Sequence, residues 1–461
     1  MDLEVAYQRC LNCLVWSIEQ LGGNAERSQL QPIADTIVQT MTGPWRYFHT
    51  PSHIFEVGGS QDPIEVLAAL FHDLVYVQVD SGVSLNIGRY ISPYIKDEKG
   101  QLAILQASYL PPNDAMFELV LAIFGFDPGD ALSPFKGQNE FLSAVIAGKA
   151  LTPFLPTETI ARIAACIEAT IPFRPHEGDL SPADRLYQRL TVANHRFNLH
   201  WKDETIVNAV RQAVRLANRD VENFAFPNAA DFLDNTWNLM PETNHELLNA
   251  NSYTVQGYRR SLQKMEGFIN FLKPELVFQR FRGEPDAANF QELVDRTARN
   301  LEVGKLYLGT KLVTIAIIEA ISTRLGRNIP ISTLMGELPT PGMHTPTLAQ
   351  FIPEIPPAYP PKTALEVEVL DLLSKGRNRE SAYDLKNSPV ATFIVKSMGF
   401  DALRGFLVSA KAFLAGDMSP DEFLAQCDPA IVDAILNGAI RLFECRLEAL
   451  RGESVDRKVP A

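Results

Sequence analysis

Residues 46–79 read RYFHTPSHIFEVGGSQDPIEVLAALFHDLVYVQV, and the second half of this stretch decides the fold. Ile64, Val66, Leu67, Leu70, Phe71, Leu74 and Val75 fall on most sides of a helix, so the spacing predicts a helix that is largely buried. An adjacent His72-Asp73 pair sits inside it, and upstream His49 and His53 stand one helical turn apart. A carboxylate buried without a partner is costly, so Asp73 needs a cation, a paired side chain or a shifted pKa. A divalent metal shared with histidines meets that need, because neutral imidazole and carboxylate together suit Mn, Fe, Zn or Mg.

Working outward, the periodicity stays helical. Leu3 to Leu21 carries Leu3, Tyr7, Leu11, Leu14 and Ile18 on one stripe and ends at Gly22-Gly23. Leu30 to Met41 gives a second helix, stopped by Gly43-Pro44. Val83 to Asp114 is less regular, rich in Tyr, Pro and Gly, and reads as loops bordering a pocket. Helical patterns resume at Ala115 to Phe124, Glu140 to Lys149, Thr157 to Thr170, Tyr187 to Phe197 and Asp203 to Asp220. No run of alternating strands is visible, so the expected fold class is all-α.

The quoted residues resemble the HD superfamily of metal-dependent phosphohydrolases, whose signature is a His, a later His-Asp doublet and a final Asp. The resemblance is closest to the tyrosine-histidine-x-x-x-histidine version that includes the cyclic-nucleotide phosphodiesterases. The matching residues are Phe48-His49-Thr50-Pro51-Ser52-His53, then Leu70-Phe71-His72-Asp73-Leu74-Val75-Tyr76. The phosphodiesterase pattern prefers Asn after the first His and another His after the doublet. Thr50 and Tyr76 stand there instead, which weakens a cyclic-nucleotide assignment and leaves the metal core intact.

The resemblance implies a multi-helix HD-domain-like bundle with additional C-terminal helices. It makes His53, His72 and Asp73 metal ligands and sets His49 beside the metal as proton donor or phosphate contact. The last ligand of the superfamily is an Asp on a late helix in an apolar setting. Asp220 fits, with Val214, Leu216, Ala217, Val221 and Phe224 around it, while Asp231 and Asp234 compete for the role. Such a centre holds one or two divalent ions (Mn, Mg, Fe, Zn or Co), with Asp73 able to bridge them and act in catalysis together with His49. Arg46, Arg174 and Arg219 are candidate phosphate clamps, since guanidinium pairs bidentately with phosphate oxygens. His176, His195, His200, His245 and His344 have no comparable context.

Composition limits the function classes. A net charge of −13 with no basic stretch argues against nucleic-acid binding, yet admits a small phosphorylated substrate at a metal centre. The first residues lack a basic segment followed by an apolar one, and the longest apolar run, Leu312 to Ile321, is interrupted by Thr314 and Glu319. These features predict a cytoplasmic protein without a membrane partner. Cys10 and Cys13 form a CxxC in a helical pattern with no second pair, and read as helix-packing thiols. Tyr76, Tyr90, Tyr94 and Tyr109 could stack on a base or fill the core.

At 461 residues the chain exceeds one ordinary core. The expected division is an HD-like catalytic domain over 1–336, a proline-rich linker over 337–361, and a helical domain over 362–461. Tyr253 to Leu272 and Pro285 to Leu325 are helical, the second broken near Gly304 or Gly309. The C-terminal helices are candidates for homo-oligomer formation or for binding a partner. The expected function is hydrolysis of a small phosphate ester, a nucleotide or cyclic nucleotide among the options. Two alternatives stand beside it: an HD-like di-iron oxygenase, and a catalytically inactive HD-fold protein that senses a ligand.

Overall fold

In the computed structural model, which describes residues 2–338 and 345–451, helices dominate as expected. His344 and positions 339–344 of the proline-rich stretch lie outside the described residues. The first half of the chain forms α1 (Leu3–Gln20), α2 (Arg27–Met41), α3 (Pro51–Gly58), α4 (Pro63–His72), α5 (Val77–Asp80) and α6 (Leu85–Ile91). After a short hairpin come α7 (Ala115–Phe124), α8 (Gln138–Leu151), α9 (Thr157–Ala169), α10 (Pro182–Arg196) and α11 (Asp203–Asp220).

The start of α4 follows from its capping residues. The Asp62 carboxylate accepts the backbone N–H groups of Ile64 and Glu65, and Pro63 opens the first turn, where no N–H is needed. Every residue from Ile64 to His72 is buried, as the apolar spacing predicts. A second central helix, α9, packs against α4, α7, α8, α10 and α11. Its Ala161, Ala164 and Ala165 are buried and small enough for close helix approach. Ile160, Ile163 and Ile167 are also buried, each contributing about 1.5–3 kcal/mol of transfer free energy.

The hairpin departs from the sequence reading. β1 (Ile95–Glu98) and β2 (Gln101–Ile104) pair antiparallel, with Ile95 opposite Ile104. Lys99 and Gly100 both adopt positive φ in the connecting turn, and the Gly100 N–H donates to Asp97 Oδ1 at 2.7 Å. Four-residue strands with several charged residues give too little alternation to be seen in the sequence.

The chain divides into two compact units. Unit 1 holds 1–225 and 272–297, and unit 2 holds 226–271 and 298–461. This grouping differs from the boundaries expected at the proline-rich stretch. Unit 2 contains α12 (Ala229–Thr243), α13 (Val255–Phe271), most of α14 (Ala287–Ser322), α15 (Ile331–Met335), α16 (Ala364–Lys375), α17 (Pro389–Ala415), α18 (Pro420–Leu424) and α19 (Pro429–Leu450).

The physical reason is a buried polar hub that joins residues from both sides of that stretch. Asp384 accepts hydrogen bonds from Trp237 Nε1 (2.8 Å), Tyr258 Oη (2.8 Å) and Lys311 Nζ (3.0 Å). Leu348, within the proline-rich stretch, is fully buried, and its short 3-10 turn packs against α19. Nor does α14 break at Gly304 or Gly309. A Cβ at Gly304 would meet Phe232, and one at Gly309 would meet Leu407, so both glycines admit neighbours rather than end the helix.

Candidate metal centre

Three helices of unit 1 bring the candidate ligands together. His53 lies on α3, His72 is the last residue of α4 with Asp73 as its C-cap, and Asp220 ends α11. One ligand atom from each of these four lies within 4.8 Å of every other, so the group could hold a metal ion. His72 Nε2 stands 3.0 Å from Asp73 Oδ2 and 3.3 Å from Asp220 Oδ1. His53 Nε2 stands 3.3 Å and 3.1 Å from the same two oxygens. Metal–ligand bonds of about 2.1 Å give ligand–ligand edges of about 3.0 Å in an octahedron and about 3.4 Å in a tetrahedron, so the spacing suits either.

The imidazole orientations carry a further argument. His72 Nδ1 lies 2.8 Å from the Ala69 carbonyl oxygen, which can only accept, so Nδ1 carries a proton. Its Nε2 therefore meets two carboxylates and needs a positive charge between them, either a second proton or a metal ion. A ring N–H donated to a backbone carbonyl is the usual support of a metal-bound histidine. His53 Nε2 is buried and makes no hydrogen bond of good geometry despite its close oxygens, another sign of a position shaped for a cation.

Electrostatics agree with that geometry. Burial works to lower the pKa of both histidines, but the Asp73 and Asp220 carboxylates outweigh it, raising His53 to about 9 and His72 well above its ordinary value. Burial works to raise both aspartates, and the imidazoles hold them below the usual carboxylate range.

Arg219 holds the three ligand-bearing helices in place. Its Nε donates to the Val57 carbonyl of α3 at 2.7 Å, and its Nη2 to Glu65 Oε2 of α4 at 2.5 Å. Arg215, one turn earlier on α11, also pairs with the buried Glu65 at 3.0 Å. Arg219 is thus engaged in packing α11 on α3 and α4 rather than turned toward a phosphate.

The other expected residues separate into near and remote. His49 Nε2 lies 3.9 Å from Asp73 Oδ2, and the Tyr76 ring sits edge-on to His49 with centroids 4.5 Å apart. Arg46 is fully buried and engaged elsewhere: Nε and Nη2 donate to Asp80 at 2.9 and 2.6 Å, and Nη1 to the Asp73 carbonyl at 2.9 Å. It fixes the turn that presents Asp73. Arg174 binds Glu168 and is described below. Asp231 and Asp234 lie on α12 in unit 2, where Asp231 accepts from Asn378 and Asp234 from the Arg379 backbone N–H. His176, His195 and His200 are exposed and outside the group. Of the tyrosines, Tyr94 is core, stacked on Phe117 at 4.1 Å, and Tyr109 is 74% exposed.

Glu140, on the first turn of α8, escaped the sequence reading. Although the residue is partly exposed, its Oε2 is buried and without a hydrogen-bond partner. Burial pushes its pKa up to about 8, and the negative charges of Asp73 and Asp220 add to the rise while Arg174 opposes it. The only trace in sequence is an acidic residue opening an apolar helix, which equally describes an ordinary first-turn carboxylate.

Among the described residues, no single helix is long and apolar enough to cross a membrane. Cys10 and Cys13 are free thiols on α1. Comparison of the chain with protein-family models, with curated proteins and with solved structures gave no match.

Proposed function

We propose that unit 1 is a metal-dependent phosphohydrolase of HD type, acting on a small phosphate ester. The observation that carries this reading is the convergence of His53, His72, Asp73 and Asp220, with the His72 Nδ1–H committed to the Ala69 carbonyl. Two imidazoles and two carboxylates form a mixed nitrogen and oxygen donor set that suits Mn, Fe, Zn, Co or Mg. A divalent cation there would supply Lewis acidity toward a phosphoryl oxygen and lower the pKa of water toward neutrality.

The chain's own groups then divide the proton work. His49, beside Asp73 but further from the cluster than the four ligands, is placed to protonate the leaving oxygen at Nε2. Glu140, whose buried Oε2 has no hydrogen-bond partner and whose pKa is pushed up to about 8 by burial, holds a proton near neutral pH and is a candidate to donate it during the reaction and take it back afterwards. Tyr76, packed against His49, restricts that ring's orientation.

The test is a phosphate-release screen with the full-length protein and Mn, Mg or Co, using mononucleotides, cyclic nucleotides, dinucleotides and simple phosphomonoesters. Turnover that disappears with EDTA and returns with metal supports the reading. Bound metal with no phosphate release from any substrate, or iron-dependent dioxygen uptake, contradicts it.

A further inference from the structure

Unit 1 contains a cavity of about 530 Å³ whose lining includes none of the four ligand residues. Its walls are the turn after α9, the first turn of α10 and the segment 273–280, with Ala217 and Val221 of α11 behind them. The size lies within the range of small-molecule sites, about 300–1,000 Å³.

Charge sets this cavity apart. In a chain of net charge −13, it is lined by Arg174, Lys273 and Arg280 against the single carboxylate of Glu275. The imbalance deepens behind Arg174. The buried Glu168 carboxylate receives Arg174 Nη1 at 2.5 Å and Arg189 Nη2, and Arg185 is close enough to act on the same charge. Burial, and after it the charges of Arg174 and Arg189, lower the Arg185 pKa. Arg185 also pairs with Glu177, a mostly exposed carboxylate. The Nε atoms of Arg174, Arg185 and Arg189 are all buried without an acceptor. Of the three, Arg174 alone lines the cavity, so the cluster backs that wall with positive charge.

Phe173, directly before Arg174, takes a left-handed φ of 56°, and Arg174 pairs with Glu168. Phe173 and Phe290 add aromatic surface to the lining.

We propose that this cavity is a second ligand site, separate from the metal centre, for a small phosphate monoester with a flat aromatic body, of nucleoside monophosphate size. The phosphate meets Lys273 and Arg280, since guanidinium and ammonium groups favour a dianion, while Arg174, ion-paired to Glu168, adds positive charge to the wall. The aromatic body lies against Phe173 and Phe290. The inference does not depend on the proposed activity.

Calorimetric titration of the full-length, EDTA-treated protein with adenosine monophosphate tests it, with adenosine and inorganic phosphate as partial probes. The comparison variant is Lys273→Glu/Arg280→Glu, two exposed positions, checked by circular dichroism and metal content. The expected result is saturable nucleotide binding without metal, at least tenfold weaker for adenosine, at least tenfold weaker in the double variant, and weakened by salt. Binding that is absent without metal, equal for adenosine, or unchanged in a folded double variant overturns the proposal.

Discussion

Asp220 Oδ1 lies 3.3 Å from His72 Nε2, although the two residues are 148 positions apart. The contact is made by the ends of two helices, α4 and α11, and Arg219 beside Asp220 locks those helices through Glu65. A candidate ligand group that depends on such docking is sensitive to residues outside that group.

Arg219→Ala is therefore expected to weaken metal binding by about 10–100-fold, the range for supporting residues of a metal site. It also removes one partner of the buried Glu65, with a stability loss of up to about 3 kcal/mol because Arg215 still pairs with that carboxylate. Metal titration and thermal melting read the two effects separately. A variant with wild-type metal affinity and a lowered melting temperature would assign Arg219 to stability alone.

Glu140→Gln keeps the shape of the side chain and removes its ionisable carboxyl. Metal content is expected to stay at the wild-type level while turnover falls about 100-fold or more, the scale of general acid–base catalysis. Steady-state kinetics beside elemental analysis checks this, and unchanged turnover would remove Glu140 from the reaction.

His49→Ala should likewise spare the metal and slow turnover. The loss is expected to be largest for substrates with a poor leaving group, because a proton donor matters most there. Comparing an alkyl phosphate ester with a nitrophenyl ester measures the difference. Equal losses on both would point to phosphate binding in place of proton donation.

Acid sensitivity follows from Glu168. Burial favours its neutral form, but the Arg174 and Arg189 guanidiniums outweigh this and hold its pKa below 4.5 in the folded protein. Its stabilising contribution is therefore present above the unfolded value and is lost as pH falls below about 4.5 toward the lower folded value. Glu168→Gln is expected to be less stable at neutral pH by about 3 kcal/mol and to show a shallower decline over that acid range. Denaturant melts at pH 7 and pH 4 decide it, and parallel curves for both proteins would contradict it.

The sequence disclosed the group that could hold a metal ion where chemistry and burial coincide. The apolar spacing made an Asp beside a buried His hard to explain without a cation, and His72-Asp73 stood out for that reason, although the helix ends at His72 and Asp73 caps it rather than lying inside it. Asp220 was legible through its apolar surroundings, while Asp231 and Asp234 looked similar locally and differ only in tertiary placement. The arginines were not legible, because a guanidinium that holds helices together and one that binds phosphate share the same local sequence. Arg46 proved to be bound to Asp80 and to the Asp73 carbonyl. The proline-rich stretch suggested a linker from composition, but composition does not report that Leu348 is buried or that Asp384 joins Trp237, Tyr258 and Lys311 in one core.

The most direct test of the metal centre is elemental analysis of the purified protein, supplied in turn with Mn, Fe, Zn, Co and Mg, beside His72→Ala and Asp220→Asn. The expected result is one or two divalent ions per wild-type chain, and loss of that metal in both variants while circular dichroism shows them folded. Folded variants that keep the wild-type metal content, or a wild-type chain that takes up none of these ions, would contradict it.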